Sequence, residues 1–311
     1  MILCITPNPN LERTWMIPGI HLGGVFQAEE KVVLPSGKGV NVARAVRHLG
    51  GEAVCTGLLG GHTGRLLADL LEEMQISARW TWTERETRSS VAMIDPTDSG
   101  DATLISELGE PVTIQNWQDF EQDVLAASAS TGFACISGSL PAGLPLDRFA
   151  QLIELLEARG IPVWVDSSGP ALKASLKGKP TGIKINKKEA GALLGAPLTD
   201  LASIHAAAAA LKNQGIRSVC ITLGEHGAIL SHENETWFAE PPRIELVSSV
   251  GSGDAFLAGL LVGFDHRESP AAALRMAAAA GAANARTPGG GRLKPEDYES
   301  ILPQVQIRHI P

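Results

Sequence analysis

Short apolar runs of strand type alternate with longer segments whose apolar residues recur at helical spacing through most of this chain. The runs lie at 2–6, 53–58, 134–137, 163–166, 182–186, 219–223 and 228–231. The helical patterns lie at 40–49, 64–74, 146–159, 201–214, 254–264 and 270–286. Strands apolar on both sides, separated by helices, predict a mostly parallel sheet covered on both faces. Two segments depart from this, about 11–34 and 80–111; they are rich in Thr, Val, Trp and Ile with alternating polar residues and no strong helix. They predict a few antiparallel strands inserted into the α/β body as a lid, an oligomer interface or both. No internal repeat, heptad or low-complexity linker interrupts the chain, so 1–311 is expected to form one domain carrying that small sheet.

Composition narrows the partners. The 311 residues carry a formal net charge of −8, which argues against nucleic acid or an anionic membrane, so an anionic substrate would need local cations. The 33 glycines cluster at apparent strand ends, where α/β enzymes place backbone-lined ligand sites. Cys4, Cys55, Cys135 and Cys220 each sit in an apolar strand-like run without a C-x-x-C pair, which favours small buried hydrophobes over disulfide or metal chemistry. The first six residues read as a strand with no basic region before it. The longest apolar run, 271–285, contains Arg275 and Asn284 and falls short of a membrane span. The expected compartment is the cytoplasm.

The segment with most chemical content is Gly251-Ser252-Gly253-Asp254 followed at once by an apolar helix. Glycines let backbone approach a ligand, and the first N–H groups of a helix lack intrahelical partners, so the turn forms an anion hole at a positive dipole end. Asp254 then has two readings, a helix cap or the acceptor of a proton from an attacking hydroxyl. Taken alone, Gly-x-Gly is a weak signal and the cap is favoured.

The stretch does not stand alone. Gly251-Ser252-Gly253-Asp254 resembles the C-terminal signature of the ribokinase-like (PfkB) carbohydrate kinases, with Ser252 where alanine is usual. Ser36-Gly37-Lys38-Gly39-Val40-Asn41 resembles their N-terminal, sugar-contacting signature, Asn186-Lys187-Lys188-Glu189 their Asn-x-x-Glu motif, and Thr222-Leu223-Gly224-Glu225-His226-Gly227 their nucleotide loop. The strand ends Ile136-Ser137-Gly138-Ser139-Leu140-Pro141 and Val165-Asp166-Ser167-Ser168-Gly169 are similar to those of the phosphofructokinase branch. Four ordered motifs spanning nearly the whole chain are far more specific than any one.

The resemblance implies a three-layer α/β/α fold with a mostly parallel central sheet and a small β lid, and an ATP- and Mg²⁺-dependent phosphotransferase acting on an alcohol group. It implies Asp254 as base, with the amides of Gly251, Ser252 and Gly253 as anion hole. Sugar contacts fall on Glu12, Gly37, Lys38, Gly39, Asn41, Arg88 and Ser139. ATP contacts fall on Asn186, Thr222, Gly224, Gly227, Gly253 and Asn284, and Mg²⁺ on Glu189 through water. In some members the region after Asn284 also carries a potassium site, and the lid sheets form a homodimer, here with Trp15, Trp80 and Trp82 as candidate buried or interface aromatics.

Physical readings of the same residues sit beside these roles. Asn41 can both donate to and accept from hydroxyls, and an arginine fork such as Arg88 binds phosphate bidentately. Arg44 is a weaker second candidate for the phosphate. Against these stand a solvated Lys38 in a turn, a surface lid arginine at 88, and Glu189 merely meeting a helix dipole. Three positions depart from the family: Ser36 replaces a glycine, Glu12 stands where Asp is usual, and Ile185 where Pro is usual.

The first expectation for substrate is fructose 1-phosphate, converted to fructose 1,6-bisphosphate, with tagatose 6-phosphate and fructose 6-phosphate as alternatives. An unphosphorylated sugar or nucleoside is a further alternative, which the 137–141 run and Arg88 argue against. A catalytically silent sugar-phosphate sensor is another, which the presence of both Asp254 and Glu189 argues against. No Walker loop, dinucleotide fingerprint or Gly-x-Ser-x-Gly elbow is present.

Overall fold

A computed structural model describes residues 1–97 and 102–311. Its strands are β1 (Ile2–Thr6), β2 (Asn10–Met16), β3 (Glu30–Ser36), β4 (Ala53–Gly60), β5 (Ser77–Thr83), β6 (Arg88–Ile94), β7 (Thr103–Ser106), β8 (Phe133–Ser137), β9 (Val163–Asp166), β10 (Gly182–Asn186), β11 (Ser218–Thr222), β12 (Ala228–His232), β13 (Glu235–Glu240) and β14 (Gln306–Ile310). The helices are α1 (Lys38–His48), α2 (Gly61–Glu73), α3 (Ile114–Ala127), α4 (Leu146–Ala158), α5 (Gly169–Ser175), α6 (Lys187–Leu194), α7 (Leu201–Lys212), α8 (Ser252–Asp265), α9 (Pro270–Ala285) and α10 (Pro295–Ile301).

Among the described residues the main sheet has ten strands in the order β14-β13-β12-β11-β10-β9-β8-β1-β4-β5. It is parallel from β11 to β5 and antiparallel from β11 to β14. Alternation along each strand sorts its side chains between two layers. Cys4, Cys55, Cys135 and Cys220 face the layer of α1, α8 and α9, while Leu3, Ile5, Ile136 and Val165 face that of α3, α4 and α7. All four cysteines are free and buried, as their apolar runs predict. Small residues let α8 and α9 close on each other: a Cβ on Gly259 would lie 2.7 Å from the Met276 carbonyl.

A second sheet of four strands, in the order β3-β2-β6-β7, forms the small lid. It comes from the two predicted segments, with two differences; of 80–111, residues 98–101 lie outside the described residues. The strand holding Trp80 and Trp82 is β5, which pairs in parallel with β4 as an edge of the main sheet. An edge strand with one face open alternates polar and apolar residues just as a lid strand does, which is why the pattern misassigned it. The lid's central pair, β2 with β6, is parallel, contrary to the antiparallel expectation.

Parallel neighbours place β1, β8, β9, β10 and β11 with their C-terminal ends together, the edge at which open α/β sheets bind ligands. The lid chain leaves β1 at that edge and returns to it at α1. No helix among the described residues is long and apolar enough to cross a membrane.

Candidate active site

Two helix starts meet above the sheet. Helix α1 begins at Gly37, whose φ of 109° is open to glycine and where an added Cβ would lie 2.7 Å from Thr6 Cγ2. Helix α8 begins at Gly251, at φ 78°, packed so closely on the 289–291 loop that a Cβ would lie 2.3 Å from Gly290 Cα. The two starts are tied by Asn41 Nδ2, which donates to Asp254 Oδ2 at 2.8 Å. Asp254 is 5% exposed. Burial, and next the negative charge of Asp166, push its carboxyl up to about 6, against the pull of Lys38, Lys184 and the Asn41 amide.

Beside it lies a cluster of two lysines on one carboxylate. Asp166, fully buried at the end of β9, accepts from Lys184 Nζ at 2.6 Å and from Lys38 Nζ at 2.8 Å. Burial alone would raise the Asp166 carboxyl, yet the two ammonium groups, Lys184 first, hold it below the ordinary carboxylate range. Burial likewise opposes the charge on Lys38, but Asp166 and then Asp254 keep its ammonium above the usual lysine value. Lys184 also borders the glycine turn, since a Cβ on Gly253 would come within 2.7 Å of its Nζ. Sequence reasoning missed Lys184. Its signal was a lone lysine inside the apolar run Gly182-Ile183-Lys184-Ile185, where a charge survives only with a partner.

The lid reaches the same centre through Glu12 and Ser36, both buried. Ser36 Oγ lies 3.1 Å from Glu12 Oε2 and 3.1 Å from Asn41 Oδ1. Arg44 is buried, its guanidinium lowered to about 10 by burial, and donates to the carbonyls of Pro35 and Gly290 as well as to Asn41. It is a strut between β3 and the 289–291 loop, which removes it as a candidate for a substrate phosphate. That loop is itself packed against Asn41 and Leu34, not a plain surface turn.

A second polar group gathers around Asn8, whose Nδ2 donates to Ser139 Oγ at 3.1 Å. Arg88, half-buried on β6, donates to the Asn8 carbonyl from Nε and Nη2 and to the Glu107 carbonyl from Nη1. A small cleft between the lid and the main sheet is lined here by Asn8, Gly60, Thr83, Arg85, Arg88 and Gly109.

The remaining residues lie along the neighbouring strand ends. Asn186 and Glu189 form a capping box on α6: Asn186 Oδ1 accepts from the Glu189 N–H at 2.9 Å, and Glu189 Oε2 accepts from the Asn186 N–H at 2.8 Å. Thr222 pairs with Asn186 across β10 and β11, and its Oγ1 donates to the Ile185 carbonyl at 3.4 Å. Gly224 and Gly227 turn with φ of 64° and 101°. Asn284 Nδ2 donates to the Val250 carbonyl at 2.9 Å and to Ser252 Oγ at 3.4 Å, locking α9 to the glycine turn.

A buried carboxylate, a glycine-walled helix start and two ammonium groups at one sheet edge suit transfer of an anionic group to a hydroxyl. Comparison with known proteins agrees. Residues 21–297 match the pfkB family carbohydrate kinase model. The chain belongs to the pfkB family of carbohydrate kinases. This pfkB kinase is therefore an ATP-dependent phosphotransferase. It is similar to Escherichia coli phosphofructokinase-2 solved with substrates and products, at 30% identity over 97% of this chain and 98% of that one, with a TM-score of 0.91. Further structures of the same protein hold fructose 6-phosphate (29% identity, TM-score 0.90) and potassium (30%, TM-score 0.90), each over 97% of this chain and 98% of that one. A Thermotoga maritima protein described as a possible 1-phosphofructokinase matches at 24% identity over 100% of both chains, with a TM-score of 0.90, a likeness that carries the fold alone.

Proposed function

We propose that this kinase transfers the γ-phosphoryl group of ATP to the 1-hydroxyl of fructose 6-phosphate, giving fructose 1,6-bisphosphate and ADP. The observation that carries the reading is Asp254, a buried carboxylate raised to about 6 and hydrogen-bonded to Asn41 at the glycine-walled start of α8. In this reading Asp254 takes the hydroxyl proton as the O–P bond forms and the bond from the γ-phosphorus to the bridging oxygen of ADP breaks. The amides of Gly251, Ser252 and Gly253, with Lys184 and Lys38, balance the charge on the transferring group. Gly37, Gly39, Asn41 and Glu12 meet the sugar, and Arg88 with Ser139 meets its phosphate, Arg88 exchanging a carbonyl acceptor for a phosphate oxygen. Asn186, Thr222, Gly224, Gly227 and Asn284 border the nucleotide.

Fructose 6-phosphate displaces fructose 1-phosphate as the first substrate. Whole-chain likeness at 30% identity is to phosphofructokinase-2, solved with that sugar, whereas the possible 1-phosphofructokinase supports the fold only.

Mg²⁺ fits a thin protein ligand set. Among the described residues no three His, Cys, Asp or Glu are grouped to hold a metal, and the capping box occupies Glu189 Oε2 alone, leaving Oε1 outside it. Glu189 would hold the ion through water, where it supplies charge neutralisation on the ATP phosphates. Potassium fits beside the glycine turn, where Asn284 Oδ1 and Thr287 Oγ1 are buried without hydrogen-bond partners. A homodimer through the small sheet belongs to the same proposal, supported by Leu104 and Ile105, 51% and 59% exposed on β7.

The test is ADP release with fructose 6-phosphate, fructose 1-phosphate, tagatose 6-phosphate and free fructose. Fructose 6-phosphate should give the highest kcat/KM, and Asp254→Asn should lower kcat by about 10²–10⁴-fold. A higher kcat/KM with fructose 1-phosphate or free fructose overturns the substrate. Asp254→Asn retaining most of the activity overturns the base.

A further inference from the structure

Between the lid and Asp254 runs an unbroken line of side chains: Thr14 Oγ1 to Glu12 Oε1 at 3.2 Å, Glu12 Oε2 to Ser36 Oγ at 3.1 Å, Ser36 Oγ to Asn41 Oδ1 at 3.1 Å, and Asn41 Nδ2 to Asp254 Oδ2 at 2.8 Å. Every member is buried, with Glu12 at 4% exposure, so water does not relieve an unmet bond. The polarity of the line is fixed at one end. Asn41 must turn its NH₂ to the Asp254 carboxylate, so its oxygen faces Ser36 and the Arg44 guanidinium. Ser36 is then asked for two protons and has one. Its hydroxyl donates either to Glu12 or to Asn41, not to both at once.

We infer that Ser36 is a positioning residue whose single hydroxyl proton couples sugar recognition at Glu12 to the hold of Asn41 on Asp254. The inference rests on the proposed roles of Glu12 and Asp254. With no sugar, the carboxylate of Glu12 competes for the Ser36 proton. A sugar hydroxyl donating to Glu12 Oε2 takes the place of the Ser36 donor there, and the Ser36 proton turns to Asn41 Oδ1. The Asn41 amide is then fixed from its oxygen side by Ser36 and Arg44, with its NH₂ held against Asp254. No covalent bond changes in this step. A sugar lacking the hydroxyl that Glu12 reads would occupy the site without seating the base.

The experiment compares Ser36→Ala and Ser36→Gly with the wild type by steady-state kinetics across pH, with Glu12→Gln and the double variant Glu12→Gln/Ser36→Ala completing a cycle. Loss of one buried hydrogen bond predicts a roughly 5- to 30-fold fall in kcat at saturating fructose 6-phosphate. The KM for ATP should be unchanged, and the acid limb of kcat should move to higher pH because Asp254 loses a firmly held donor. In the Glu12→Gln background, removing the Ser36 hydroxyl should cost less than it does alone. The inference is overturned if folded Ser36→Ala or Ser36→Gly keeps the wild-type kcat and acid limb, or if the two substitutions act independently. Asp254→Asn separates the two levels. If that variant is inactive while the Ser36 variants behave as wild type, only the coupling fails; if it is active, the underlying reading fails first.

Discussion

Asn41 and Asp254, 213 residues apart in sequence, are joined by a 2.8 Å hydrogen bond that closes the first turn of α1 onto the first turn of α8. One is carried by the segment that leaves the lid, the other by the segment that walls the proposed anion hole. The bond adds to the pull of Lys38 and Lys184 against burial and Asp166, because donation to an ionised oxygen favours the charged form.

That balance gives a pH dependence. In the proposed mechanism the proton acceptor is the ionised carboxylate, so kcat/KM should fall tenfold per unit as pH drops below about 6, the value to which burial and Asp166 push Asp254. Lys38 opposes that rise, so Lys38→Met should move the limb to higher pH. A pH–rate series on both proteins checks this; a limb that stays in place removes Lys38 from the field at Asp254.

Asp166 is the shared counterion of two lysines and has no exposed surface. Asp166→Ala leaves Lys184 buried and unpaired, so urea unfolding should show a loss of about 3 kcal/mol, in the range for breaking a buried pair from one side. Lys38 reaches solvent and should contribute little of it.

Gly251 cannot carry a side chain without moving the loop opposite. Its φ is 78° and an added Cβ would lie 2.3 Å from Gly290 Cα, a backbone atom with no rotamer to retreat into. Gly251→Ala should cost about 2 kcal/mol of stability and lower kcat more than it changes the KM for sugar. Urea unfolding and steady-state kinetics together read both.

The Asn186–Glu189 capping box lets helix stability and the proposed metal role of Glu189 be tested separately. Glu189→Gln keeps an acceptor for the Asn186 N–H and should unfold at nearly the wild-type urea concentration, while a Mg²⁺ titration of activity shifts to higher concentration. Glu189→Ala should show the same shift plus a loss of about 1 kcal/mol from the helix start.

Burial should also silence the thiols. Burial pushes the Cys220 thiol up to about 12 and raises those of Cys4 and Cys55, so none of the four cysteines should react with a chromogenic disulfide reagent in the native protein. All four should react in denaturant.

The body of the fold was legible because its central strands are apolar on both sides and most of its long helices are apolar along a stripe or, as in α8, nearly all round; the predicted 2–6, 163–166 and 182–186 coincide with β1, β9 and β10. Helix α3 and strands β13 and β14 went unread; β14, at the sheet's end, has only exposed and half-buried residues, and no apolar run marks it. The glycine turns of the site were legible because their residue types are dictated by space. Lys184 and Ser36 were not legible as members of a network, because a charge inside a strand and a serine in place of a glycine take their meaning from partners far off in sequence.

The parallel pairing of β2 with β6 has a consequence for how the chain assembles. Two parallel strands need a crossover, and here it contains β3, α1, β4, α2 and β5. During synthesis the central seam of the small sheet therefore has to wait until one edge of the large sheet has emerged, while β2 and β3 pair only with each other. Refolding should populate a species with the large sheet formed and the small one still open, and ATP-free pulse-labelled hydrogen exchange should find the amides of β6 protected later than those of β1.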